Sequence, residues 1–184
     1  MDFLWKTALW QQFGATIDML ENALLACPDT LWQGRLWHDH SEQPLAPEFA
    51  EFWFITYHTL FWLDLYLSGL PEEDFAPPAP FTWVELDPTW VLPERPYSKD
   101  ELHTYLIHLR QKCQTIIAEL SEEKAQQQIN YAWTEGTSVS YLELLLYTMR
   151  HVQEHAAQLN LFLGQNDIKE VSDWVPQAKD DVGA

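Results

Sequence analysis

Three histidines, His58, His151 and His155, are the residues of this chain whose types and positions could do chemistry. His151 and His155 are four residues apart, so on a helix their rings stand one above the other and can chelate a single ion. Around them Tyr141, Leu144, Thr148, Gln158 and Phe162 recur at steps of three and four, which places both rings on the face expected to point inward. His58 sits likewise inside an apolar stripe of Phe54, Ile55, Phe61, Trp62 and Leu65. Imidazole is costly to bury without a partner. Three neutral rings converging in a helical core would hold one divalent metal ion and leave a coordination position open for water or substrate. Against this stands a plainer reading, hydrogen-bonded core histidines, because two His fall at this spacing by chance.

Other motifs overlap these residues and are weaker. The run from His151 to His155 also matches H-x-x-E-H, a zinc-peptidase pattern in which the Glu, here Glu154, is a general base. A peptidase needs a further ligand and a substrate-binding domain, and only 29 residues follow His155. Glu154 reads instead as a solvated carboxylate or as a partner orienting a ring. Paired Glu-x-x-His motifs for a di-iron bundle are absent from the sequence. His38 and His40 fall in a connection and read as a solvated turn, and His103 and His108 read as surface residues of a helix.

Four long helical patterns must position the three rings. The first runs from about Phe3 to Ala26 with Leu9, Phe13, Ile17, Leu20 and Leu24 on one face, and Cys27-Pro28-Asp29 ends it. Residues 30–47 read as a structured connection with a short turn of helix around Leu31 to Trp37. The second helix is expected from Glu48 to Ser68, stopped by Gly69 and Pro71. Next comes a long irregular loop to Pro96 carrying seven prolines with Phe81, Trp83 and Trp90, of the kind that often serves function. Ser98 and Glu101 form a capping box opening the third helix, which continues to Leu120. A polar patch from Ser121 to Gln128 and a turn at Gly136 lead to the last helix, expected from Thr137 or Ser140 to Leu163 with Gly164 as its cap. These stripes predict an all-α four-helix bundle.

The 184 residues, 47% of them hydrophobic, predict one domain over 1–184, its core spanning about 3–164 and a polar tail over 165–184. A net charge of -18, with no run of Lys or Arg, opposes binding to nucleic acid or to anionic lipid. Cys27 and Cys113 form no CxxC motif and read as buried thiols. The amino terminus lacks a signal-peptide pattern, and no stretch approaches the ~18 apolar residues of a membrane span. The expectation is a soluble, cytoplasmic protein.

His58-Thr59-Leu60-Phe61-Trp62-Leu63-Asp64 on the second helix, Arg95 through Leu102 opening the third, and His151 through Leu159 on the fourth resemble the DinB superfamily of DinB/YfiT-like metalloenzymes. The likeness spans roughly Leu9 to Gly164. It implies an up-down-down-up bundle with a long crossover after the second helix, and a zinc or nickel ion on His58, His151 and His155. It further implies a small-molecule substrate, with a low-molecular-weight thiol as cosubstrate of S-transferases or isomerases, and a homodimer. Here His155 is followed by Ala-Ala-Gln, where some relatives have a basic residue before the Gln.

The expected function is therefore that of a metal-dependent enzyme such as a thiol S-transferase, in which the ion favours the thiolate of a cosubstrate, or a hydrolase acting through metal-bound water. The second reading is a metal- or small-ligand-binding helical module without catalysis. The third is an interaction domain with packed core histidines and no metal.

Overall fold

The computed structural model describes residues 2–38, 40, 45–134, 136–169 and 174–179, with the side chains of residues 2 and 3 outside that description. Most of them lie in helices: α1 (Asp2–Ala26), α2 (Phe52–Ser68), α3 (Lys99–Glu119), the short α4 (Glu122–Gln126) and α5 (Tyr141–Gln165). Among the described residues the fold is all-α apart from one two-stranded ribbon, β1 (Gln128–Ile129) against β2 (Val139–Ser140), antiparallel, with Gln128 opposite Ser140. Helices α1 and α2 each pack against both α3 and α5, and their shared core holds Phe13, Ile17, Leu20, Leu60, Leu106 and Leu159, all fully buried. Among the described residues, no helix is long and apolar enough to cross a membrane.

The second helix departs from the expected one-sided stripe. Of its 17 residues, 14 are buried, so it is apolar nearly all round, as a central helix must be. It meets α3 and α5, while loop residues such as Phe81 and Tyr97 and the segment before it cover part of its remaining surface. Buried hydroxyls on it return their protons to the helix itself, Thr56 to the Phe52 carbonyl and Thr59 to that of Ile55. Only His58, Trp62 and Ser68 are less than fully covered. His58 and Trp62 are one turn apart, so solvent reaches α2 along a short line beginning at the candidate ligand.

That helix also starts later than expected. Residues 47–50 form a 3-10 turn, and Glu51 is extended, with ψ 149°. The amides of Phe52 and Trp53 then donate to the carbonyls of Gly34 and Trp32, at 2.9 and 3.1 Å. Backbone from the preceding connection thus satisfies the first-turn donors that a side-chain cap would otherwise serve. Gly34 is required there, because a Cβ on it would stand 2.7 Å from the ring of Phe162. The short helix expected around residues 31–37 is instead a 3-10 turn over Asp29–Leu31.

The third helix begins as expected, with the reciprocal Ser98–Glu101 capping box in place. Helix α5 begins with a second capping box, Ser140 with Glu143, and passes through Gly164 to Gln165. The left-handed residue that stops it is Asp167, φ 64°, after which the Ile168 amide returns to the Leu163 carbonyl. The polar patch before it folds as α4 and β1. The described part of the carboxyl-terminal tail lies along α1. Ala178 is buried, its amide donates to the Gln11 carbonyl, and the Lys179 amide donates to Asp18 Oδ2 at 2.6 Å. Both cysteines are free and buried, and burial raises the Cys27 thiol to about 12.

Candidate metal centre

The face of α5 toward the core runs through Leu144, Thr148, Val152, Ala156, Leu159 and Leu163, all fully buried. His151, His155 and Gln158 flank that stripe and are only partly covered. Helix α2 packs on α5, and its partly covered His58 meets them. The three rings converge through their Nε2 atoms: His151 Nε2 is 3.2 Å from His58 Nε2 and 3.1 Å from His155 Nε2. All three ligand atoms lie within 4.8 Å of one another, so this group could hold a metal ion.

The outer nitrogens decide which face of each ring carries a lone pair. His58 Nδ1 stands 2.9 Å from Glu85 Oε2, and His155 Nδ1 stands 2.8 Å from Gln158 Oε1. Both partners are acceptors, so the protons sit on Nδ1 and the lone pairs of Nε2 face inward. Two inward lone pairs then confront His151 Nε2, which can donate to only one of them. A cation at the centre satisfies all three. The two separations from His151, 3.2 and 3.1 Å, are close to the roughly 3.3–3.4 Å between ligands held at about 2.0–2.1 Å around a tetrahedral zinc. His151 Nδ1 is buried without a hydrogen-bond partner among the described residues.

Electrostatics favour the neutral, ligating form of the α5 rings. Burial, then the neighbouring His58, lowers His151 to about 2 and His155 to about 4. Burial penalises imidazolium, and adjacent rings would repel if charged.

Glu85 is the residue that sequence reasoning missed. It comes from the proline-rich loop between α2 and α3, is 8% exposed, and its Oε2 accepts from both His58 Nδ1 and Trp62 Nε1, the latter at 2.9 Å. Its only signal in the sequence is an acid set between aromatic and aliphatic residues, Trp83, Val84 and Leu86. Two hydrogen-bonded tyrosines dock the loop nearby: Tyr57 donates to the Thr82 carbonyl, and Tyr97 Oη accepts from the Thr82 amide at 3.0 Å. Gln158 sat on the predicted face of α5 and takes the orienting part once open to Glu154, which is exposed.

The remaining candidates lie elsewhere. His38 and His40 are exposed with their ring centres 6.3 Å apart. His103 is bound to Glu21 at 3.0 Å, and His108 is exposed on α3.

No curated protein and no solved structure matches this chain. The model of one family does match, over residues 12–159, a span that takes in His58, Glu85, His151 and His155. With well over half of its length matched and the three histidines brought together, the chain belongs to the DinB superfamily.

Proposed function

We propose that this DinB-superfamily protein binds one divalent ion, zinc or nickel, through His58, His151 and His155, and that it is a metal-dependent enzyme such as a low-molecular-weight-thiol S-transferase. The observation that carries this reading is the convergence of three Nε2 atoms whose outer nitrogens on His58 and His155 face Glu85 and Gln158. When bound, such an ion supplies Lewis acidity and favours the deprotonated form of a thiol or of water. The chain's own residues orient the His58 and His155 rings through Glu85 and Gln158, keep the α5 pair neutral through burial and, through Trp62 beside His58, line the approach from solvent. Three protein ligands leave the position that a substrate needs. With the resemblance, we further propose one domain arranged as an up-down-down-up four-helix bundle with a crossover between α2 and α3, a small-molecule substrate, a cytoplasmic location and a homodimer.

Elemental analysis of protein purified without affinity tag or chelator tests the metal. About one equivalent in the wild type, lost in His151→Ala, is expected. A wild type that takes up no zinc or nickel on reconstitution would overturn the reading. Metal-loaded protein inactive toward a panel of thiols and electrophiles would instead support a metal-binding module without catalysis.

A further inference from the structure

The three histidines come from two helices, yet the residue controlling one of them belongs to neither. We propose that Glu85 is a positioning residue that sets the His58 tautomer, so that metal affinity at the triad depends on the docking of the loop between α2 and α3. This rests on reading the triad as a metal site.

A neutral imidazole carries its proton on either nitrogen, and only the form with a bare Nε2 can ligate at the centre of this triad. Without an acceptor at Nδ1 the two forms compete, and the protonated Nε2 form must be converted before an ion can bind. Glu85 Oε2, 2.9 Å from Nδ1, removes that competition. The same oxygen takes the Trp62 indole proton, so a single carboxylate holds two side chains one turn apart on α2. Its charge also makes the ring a better donor to a cation.

Glu85 is in turn held by the loop. Three residues earlier Thr82 is bound at its carbonyl by Tyr57 and at its amide by Tyr97 Oη, and Val84 between them is 2% exposed. The carboxylate is thus delivered by a docked segment, and its second oxygen, Oε1, is buried without a hydrogen-bond partner among the described residues. Burying a half-paired carboxylate is costly, and attraction to a cation held by His58 offsets that cost. Linkage follows: an ion on the triad stabilises the docked loop, and the docked loop raises affinity for the ion.

The test uses the full-length chain with zinc alone. In metal-free protein, nitrogen NMR of the His58 ring, identified by its loss in His58→Asn, should show one tautomer with the proton on Nδ1. In Glu85→Ala the second tautomer should appear, zinc affinity should fall about 10- to 100-fold, and zinc should no longer slow amide exchange at residues 82–86. Glu85→Gln retains an acceptor without the charge, so it should keep the tautomer and lose less affinity, a rescue that mere loop packing would not produce in the ring spectrum. Wild-type affinity together with an unchanged tautomer in Glu85→Ala would overturn this proposal alone. Absence of zinc uptake by the wild type would overturn the metal reading beneath it.

Discussion

At the scale of single residues, the α5 histidines are held neutral at a cost that pH can reveal. Both rings fall below their ordinary value of 6.5, His155 to about 4 and His151 to about 2, chiefly through burial. The unfolded chain therefore binds more protons than the folded one below pH ~6.5, and stability falls as pH is lowered through that window. Metal-free protein should lose up to about 1.4 kcal/mol per pH unit for each ring. Urea unfolding between pH 7.5 and about 5.5, where ordinary carboxylates stay largely ionised, would measure this. His151→Ala should flatten the slope. A slope unchanged in the variant would mean that His151 takes up its proton equally in both states. The positions of these two rings were legible in the sequence because one helix turn relates them. Glu85 was not, since nothing periodic connects residue 85 to residue 58.

At the scale of elements, capping marks where the legible signals end. The pattern Ser-x-x-Glu occurs at both Ser98–Glu101 and Ser140–Glu143, and both form reciprocal boxes. Ser140 opens the helix that carries His151 and His155, and its Oγ accepts from the Glu143 amide at 3.2 Å. Ser140→Ala should cost about 1 kcal/mol, lowering Tm by roughly 2–4 °C in a chain of this length, with metal content unchanged. Differential scanning calorimetry beside elemental analysis would check both. The start of α2 carries no such signature, because its first amides are satisfied by the Gly34 and Trp32 carbonyls, 18 and 21 residues earlier. Reading that boundary needs the tertiary contact. The same holds for the burial of α2: its stripe of apolar residues was visible, but its coverage on the far side depends on a loop whose prolines announce only irregularity.

At the scale of the whole molecule, charge and one buried ion pair set the terms of stability. Asp18 is fully buried on α1, and its Oδ1 accepts from Arg110 Nε at 2.8 Å across from α3. Arg110 also donates to the Lys179 carbonyl, tying the tail into the pair. Removing one partner strands a buried charge, so Arg110→Ala should cost about 3–5 kcal/mol, while replacing both by apolar residues should cost far less. Urea denaturation of the single and double variants distinguishes the two. A net charge of -18 adds self-repulsion over the surface. Raising salt from about 10 to 500 mM shortens the screening length from roughly 30 Å to under 5 Å and should raise Tm, as a thermal scan would show.

From the sequence alone came the helical class, the spans of the long helices within a few residues, the acidic surface and the three histidines. All of these depend on composition or on periods of three and four residues, which local backbone geometry imposes. The tertiary structure alone decided that His58 meets His151 across 93 residues, that Glu85 rather than Glu154 lies against the site, and that the described tail returns to α1. Those arrangements follow from how buried faces pair and how loops dock on them. Contacts of that kind leave no repeat along the chain, because each is set by shape and unsatisfied polar groups at a distance rather than by neighbours in sequence.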